Sequence, residues 1–363
     1  MYKLRDKIIA VVSNEPWGDI WYSKHNWAFE LSQTNRVFFL NPAGSWKFSN
    51  LFNPELHSEK ISDGLEVLTY ANRFPLSRFS MIRKLNEKST ARQLKKRLKL
   101  PGKELLFWSF DPYRLVDPKA LEATNSLYFI TDDFTNELEK ELVKNVDCLI
   151  TVSPVLSAKY PAKNTLTLAH GISSEEFRAD PDPETQNGIL YIGNIDHRID
   201  YQLLIKLILA FPEEQFYFIG KLGSNNNPGF RELFIDKKYP NLIHRPPVHF
   251  KRLKQHIAGA KVCLAIMQTE VAGNNINHHK LLQYLAQGKP VLSPVFEDYS
   301  EHTELILGYK NPEEAISLLQ QAIEVPEYSE LIQNRITFAQ KHTYPKLINQ
   351  IEQFLTETEC FYV

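Results

Sequence analysis

Short apolar runs recur along the chain, separated by stretches whose apolar residues fall three and four apart. Lys7 to Ser13 is β-branched and reads as a strand, Lys24 to Leu31 as a helix, and Arg36 to Pro42 as the next strand. That order is a βαβ unit, whose crossover is right-handed. Leu65 to Tyr70, Glu104 to Ser109, Ser126 to Thr131 and Asp147 to Val152 are further strand candidates alternating with helical segments. Alternation of this kind predicts an α/β fold built on a parallel sheet. A polar, proline-containing segment, Arg178 to Gly188, then reads as a linker. Beyond it the pattern begins again, with strands at Ile189 to Gly193 and Gln215 to Gly220 around a helix carrying Leu203, Leu204, Leu207 and Ile208.

The densest pattern is Lys261 to Leu292. Val262 to Met267 is continuously apolar, as in a strand covered on both faces. His278 to Gln287 places Leu281, Leu282 and Leu285 at helical spacing, Gly288 stands where a left-handed C-terminal cap is wanted, and Pro290 follows. Strand, loop and helix N-terminus in that order offer backbone N–H groups to a phosphate at the carboxyl edge of a sheet. Further helices are expected at Pro312 to Glu324, Glu327 to His342 and Leu347 to Thr356.

The run His279-Lys280-Leu281-Leu282-Gln283-Tyr284-Leu285-Ala286-Gln287-Gly288-Lys289-Pro290-Val291 resembles the nucleotide-sugar loop of retaining GT-B glycosyltransferases of family 4. The nearest pattern is that of the bacterial exopolysaccharide and teichuronic-acid subgroup. Gly193 to Asp200, with a short loop, Asp196, Arg198 and Asp200 before a helix, is similar to a second segment of that subgroup. Leu166 to Phe177 resembles its hinge, where Ser173 and Glu176 have the spacing of a capping box.

The resemblance implies GT-B architecture, with two Rossmann-like domains whose parallel sheets face a central cleft. Residues 1–177 would form the acceptor-side domain and residues 178–343 the nucleotide-sugar domain, with 344–363 a helix crossing back. It implies a UDP- or GDP-sugar co-substrate, no tightly bound cofactor, and a glycan or lipid-linked acceptor. Gly193, Asn194, Arg198, Lys221, Asn275, His278, His279, Lys280, Leu281 and Gln283 become the candidate donor contacts. Arg198 and Lys280 are also candidate catalytic groups, because the protein's share in retaining transfer is charge stabilisation of the leaving diphosphate. Asp111 and Asp132, which follow strand candidates, complete the catalytic set, since strand carboxyl ends carry the ligand chemistry of such folds.

Two departures matter. The family's second glutamate, which holds ribose hydroxyls, stands here as Gln283, and Asn275 stands where many members carry the first. Losing a charged hydrogen bond of that kind is worth roughly 1.5–3 kcal/mol. Two other functions therefore stay open: a non-catalytic protein that binds nucleotide, glycan or partner, and a nucleotide-sugar epimerase. Arg198 either meets the diphosphate or pairs with Asp196 or Asp200; His278 and His279 are either contacts or exposed polar residues; Ser153 is either a site residue or an N-cap.

Bulk properties narrow the remainder. The chain has 363 residues, 43% hydrophobic and 23% charged, with a formal net charge of −1, a globular composition with no global pull on nucleic acid. Three scattered cysteines predict reduced thiols in a cytoplasmic protein. No His-Glu-x-x-His or Cys-x-x-Cys spacing occurs, so no metal is expected. The opening residues predict no signal peptide, and no apolar run is long enough to span a bilayer. The one local charge signal is residues 81–100, a basic stretch with a stripe of Ile82, Leu85, Ala91, Leu94 and Leu98. It is either a solvated helix packed by its leucines or a seat on the anionic inner face of a membrane.

Overall fold

A computed structural model describes residues 2–98, 104–134, 136–268, 279–296, 299–325 and 328–361. Two compact units emerge, Met1–Ala169 with Tyr344–Val363, and His170–Thr343.

The first unit holds an eight-stranded sheet in the order β3-β4-β2-β1-β5-β6-β7-β8. Its strands are β1 (Ile8–Val12), β2 (Arg36–Leu40), β3 (Leu56–Lys60), β4 (Leu65–Tyr70), β5 (Leu105–Ser109), β6 (Asn125–Ile130), β7 (Cys148–Thr151) and β8 (Thr165–Thr167). All pair in parallel except β3, which runs antiparallel to β4 at one edge. The central strands β1 and β5 are buried at every position, as expected where helices cover both faces. The covering helices are α1 (Ser23–Leu31), α2 (Ser80–Leu98), α3 (Glu137–Asn145) and α4 (Pro154–Ala158). Ser153 caps α4 by accepting from the Leu156 N–H at 3.4 Å, with Pro154 at the first helical position.

A C-terminal helix, α10 (Tyr344–Glu357), completes this unit. Its Tyr344, Leu347, Ile351 and Leu355 lie on one face and enter the same core as Trp27, whose ring meets Tyr344 edge-on at 5.0 Å. Glu352, also buried, accepts from the Leu4 N–H at 2.8 Å and from Lys3 Nζ at 2.7 Å. The two chain ends are thereby fastened together.

The second unit has a six-stranded sheet, all parallel, ordered β11-β10-β9-β12-β13-β14. Its strands are β9 (Ile189–Ile192), β10 (Phe216–Ile219), β11 (Leu242–Arg245), β12 (Val262–Leu264), β13 (Val291–Pro294) and β14 (Leu307–Tyr309). Its helices are α5 (Tyr201–Ala210), α6 (Phe250–Gly259), α7 (His279–Ala286), α8 (Pro312–Glu324) and α9 (Ser329–Lys341). The strand order turns back between β9 and β12, and in open α/β sheets ligands bind outside the carboxyl ends of the strands at such a reversal.

The pattern reading differs from the structure at particular places. β3 is absent from it because an exposed edge strand reading Leu-His-Ser-Glu-Lys carries no apolar alternation. The apolar run Val262 to Met267 forms strand only to Leu264; Met267 instead makes an antiparallel bridge with Ile199. In α2, Leu85 faces solvent while Asn86 is buried, because Asn86 clamps Phe74 by accepting from its N–H at 2.7 Å and donating to its carbonyl at 2.9 Å.

Candidate functional site

The site is built where β9 and β10 end. Gly193 follows β9 with φ +133°, a conformation that favours glycine. Its carbonyl lies so close to Gly220 that a Cβ there would fall 1.8 Å from the oxygen. The two glycines thus let two strand ends approach backbone to backbone. Beyond them the loops continue side by side, the Ile195 N–H donating to the Lys221 carbonyl and the Gly223 N–H to Ile195, each at 2.9 Å. Lys221 is exposed at this edge.

Asp196, Arg198 and Asp200 divide their work. Asp200 caps α5 by accepting from the Leu203 N–H at 2.9 Å. Asp196 takes Arg198 bidentately, Nε to Oδ1 at 2.9 Å and Nη2 to Oδ2 at 2.6 Å, and also accepts the Arg198 backbone N–H at 3.0 Å. The guanidinium is thereby held by one edge, with its side chain 40% exposed. The Arg198 carbonyl accepts from the Gln268 N–H at 2.8 Å, which stitches the loop to the segment after β12.

Lys280 enters from the first turn of α7. Its Nζ donates to the Tyr191 hydroxyl at 3.1 Å and lies 4.3 Å from that ring's centre. It stands beside Gly193, where an added Cβ would be 3.4 Å from Nζ. Burial pushes the Lys280 ammonium down to about 7; nearby Arg198 adds to the effect and Asp196 opposes it. Tyr284, one turn along α7, accepts from the Ile192 N–H at 2.9 Å and donates to the Leu264 carbonyl at 3.3 Å. One tyrosine therefore fixes α7 against both β9 and β12.

The other face of α7 carries the segment around residues 170–179. His279 Nε2 is 2.9 Å from the Gly171 carbonyl, and its ring meets His170 edge-on at 5.8 Å. Gln283 Nε2 donates to a carboxylate oxygen of Glu176 at 2.7 Å, and Gln287 accepts from the Ala179 N–H at 3.2 Å. Glu176 is also the closing residue of the capping box begun by Ser173. At the far end, Gly288 takes φ +69°, its N–H donating to Leu285 and that of Lys289 to Tyr284, a Schellman cap.

The second unit thus gathers Gly193, Asn194, Arg198, Lys221 and Lys280 around one strand edge, with His279 and Gln283 further round α7. Leu281 is fully buried in the core. Asn275 and His278 lie outside the described residues. Asp111 and Asp132 belong to the first unit. Asp111 is buried and committed to its own chain, accepting from the Tyr113 N–H at 2.8 Å and pairing with Arg114. Asp132 is exposed and accepts from the Thr131 hydroxyl at 3.1 Å. Glu176, Tyr191 and Gly220 went unread in the sequence as site residues: the first has a capping spacing, the second sits inside an apolar strand, and the third needs Gly193 beside it to matter. Among the described residues no group of three or more His, Cys, Asp or Glu could hold a metal ion.

Solved structures share this architecture over nearly their whole length. Sucrose-phosphate synthase from Thermosynechococcus elongatus superposes with a TM-score of 0.70 at 14% identity, covering 97% of this chain and 99% of that one. The fold is GT-B. Two further GT-B structures agree. One, described as trehalose-6-phosphate from E. coli bound with UDP-2-fluoro glucose, gives a TM-score of 0.65 at 12% identity over 98% of this chain and 100% of that one. The other is the lipopolysaccharide outer core galactosyltransferase WaaB in its apo form, with a TM-score of 0.59 at 13% identity over 97% and 99%. Among curated proteins, the provisionally named teichuronic acid biosynthesis glycosyltransferase TuaH of Bacillus subtilis (strain 168) is 24% identical over 168 residues. That match spans 42% of this chain and 42% of the relative's length. No family model matches the chain.

Proposed function

We propose that this protein is a retaining glycosyltransferase of family 4 type. It would move a sugar from a UDP- or GDP-linked donor to a glycan or lipid-linked acceptor in building a cell-surface polysaccharide. The observation that carries the reading is Lys280 beside Gly193 at the point where the second sheet's strand order reverses, with Arg198 close enough to depress its protonation. An ammonium whose charge is disfavoured in the empty protein is repaired by an anion, and a diphosphate at this edge would meet Lys280 and Arg198 together. Holding that charge is what departure of the nucleoside diphosphate requires of the protein. In this reading the second unit takes the donor and the first the acceptor.

The same reading places the protein in the cytoplasm, seated peripherally on the inner membrane face. Among the described residues no helix is long and apolar enough to cross a membrane. Lys84, Lys88, Arg92 and Lys96 form an exposed ridge at four-residue spacing along α2, and Phe79 and Met81 lie exposed at its start. Basic and apolar groups side by side suit an anionic lipid surface.

A second reading, a non-catalytic nucleotide-binding protein, is favoured by the amide at Gln283 and by the engagement of Asp111 within its own unit. Thermal melting with UDP, GDP, ADP, TDP and CMP and their sugars, on the native chain and Arg198→Ala, tests both. Ligand at a hundred times its dissociation constant adds ~2.7 kcal/mol to the folded state, an easily seen shift. A shift with one nucleotide that is lost in the variant, together with slow hydrolysis of its sugar, supports transfer. A shift without turnover moves the assignment to the binding protein, and no shift at all removes both.

A further inference from the structure

The first unit holds a cavity of about 290 Å3 at the carboxyl ends of its strands, between α2 and the loop after β5. Its walls are tied together by hydrogen bonds. Asn86 holds Phe74 and also donates to Ser77 Oγ at 2.9 Å. Arg114 is tied to the Asn41 carbonyl at 2.7 Å, to the Leu40 carbonyl at 3.2 Å, and to Asp111 and Tyr70. These residues shape the cavity and have little left to offer a ligand.

Two lining groups are different. Arg83 Nε and Glu87 Oε1, four residues apart and so on one face of α2, are buried atoms with no hydrogen-bond partner. The Glu87 carboxyl is attracted by Arg83 and takes the Leu115 backbone N–H. These two atoms themselves stay unmet, at a cost of about 1–3 kcal/mol each, and such a pair in one cavity points to a ligand. Arg78 also lines the space, so the cations outnumber the carboxylate. At the wall stands Tyr113, 48% exposed, its ring steadied edge-on by Phe134 at 5.7 Å. An exposed aromatic face next to buried polar groups suits a sugar ring, whose C–H face is apolar and whose rim is polar.

We infer that this cavity binds the terminal residue of an anionic glycan, a sugar bearing a carboxylate or phosphate. Arg83 and Arg78 take the anion, Glu87 accepts a hydroxyl, and the ring lies on Tyr113. As an acceptor subsite the assignment rests on the transferase reading; as a binding site it does not. Burial also raises the Glu87 carboxyl above its usual range, which lowers its repulsion of an anion.

Titration calorimetry of the full chain with methyl glucuronide, glucose 6-phosphate, neutral methyl glucoside and inorganic phosphate tests the inference. The glucuronide or the sugar phosphate binds at least about tenfold more tightly than the neutral glycoside and than inorganic phosphate, a difference of ~1.4 kcal/mol. Which of the two binds tighter names the anion. Arg83→Met loses that preference, and Tyr113→Ala, a change at an exposed position, weakens sugar binding while leaving the melting temperature in place. Equal binding of the neutral glycoside, inorganic phosphate as tight as the sugar anions, no binding by any probe, or indifference to both substitutions would each overturn it. Nucleotide binding, measured on the same variants, is unchanged, so failure here and failure of the donor assignment are told apart.

Discussion

Gln283 donates its amide to a carboxylate oxygen of Glu176 across 2.7 Å, although the two residues are 107 positions apart in the chain. The position where the motif it resembles has a glutamate therefore still has a carboxylate against it, delivered from the segment before the second sheet. Gln283 is the kind of partner such a carboxylate needs, since a second acid at that distance would repel it.

If Glu176 supplies the charged acceptor for ribose, Glu176→Gln weakens nucleotide binding about tenfold, the value of one charge-assisted hydrogen bond. Gln283→Glu alone sets two carboxylates together and weakens it too. The double variant, which exchanges acid and amide, recovers most of the loss. Calorimetric titration with the nucleotide chosen by the melting screen measures all three. Native affinity in Glu176→Gln would sink the idea.

Lys280 makes binding depend on pH in a stated direction. Its ammonium sits at about 7 in the empty protein. A bound diphosphate raises it, so that above neutrality binding takes up a proton and affinity falls as pH rises, by at most about tenfold per unit. Titrations in buffers of different ionisation enthalpy should show that uptake on the alkaline side, and Lys280→Met should lose it along with most affinity. Folding of the empty chain has the opposite sign. The unfolded lysine binds its proton more tightly, so the cost to the empty fold is full below about 7 and fades as pH climbs towards the ordinary lysine value. Lys280→Met accordingly melts higher than the native chain at neutral pH, and the gap narrows in alkali.

The two facing glycines should fail in different ways. A Cβ at Gly220 meets the Gly193 carbonyl at 1.8 Å and must move backbone, so Gly220→Ala costs at least ~2 kcal/mol of stability. A Cβ at Gly193 meets Lys280 Nζ at 3.4 Å, an ordinary contact, and pays chiefly for φ +133°, about 1–3 kcal/mol. Gly193→Ala also fills the space beside Lys280, so it loses nucleotide affinity out of proportion to its melting temperature. Equal effects of the two variants on binding and on melting would separate Gly193 from the site.

How much of this was legible follows from where the information lies. The helix at Pro312 to Glu324 and the cap at Gly288 were readable because proline, asparagine and glycine punctuate helices locally. The edge strand Leu56–Lys60 was not, since its side chains meet solvent and its partner alone makes it a strand. In the site, Lys280 and Arg198 stood out through a motif. Tyr191 and Glu176 did not: their roles come from contacts 89 and 107 residues away in sequence, Lys280 for the first and Gln283 for the second. Local spacing carries no trace of such partners. Arg198 shows the limit from the other side, because its pairing with Asp196 was one of two readings that the sequence left open.

The proposed membrane seat makes the sharpest demand on the first unit. Phe48 and Phe52 are 69% and 77% exposed and meet edge to face at 6.0 Å, while Met81 at the start of α2 is 72% exposed. The Arg73 side chain and carbonyl tie the Phe48 turn to the approach to α2, through Leu51 at 3.0 Å and Trp46 at 3.1 Å. Apolar tips beside the Lys84, Lys88, Arg92 and Lys96 ridge give two separable contributions, insertion and charge, and each cation near an anionic surface is worth ~1 kcal/mol. Reversing Lys88 and Arg92 to glutamate should abolish sedimentation with vesicles containing phosphatidylglycerol, and salt should weaken the native chain in the same way. Phe48→Ser with Phe52→Ser should reduce binding while leaving its salt dependence intact. Equal binding to neutral and anionic vesicles, or none to either, would return α2 to the plain role of a helix that packs on the sheet through Ala91, Leu94 and Leu98.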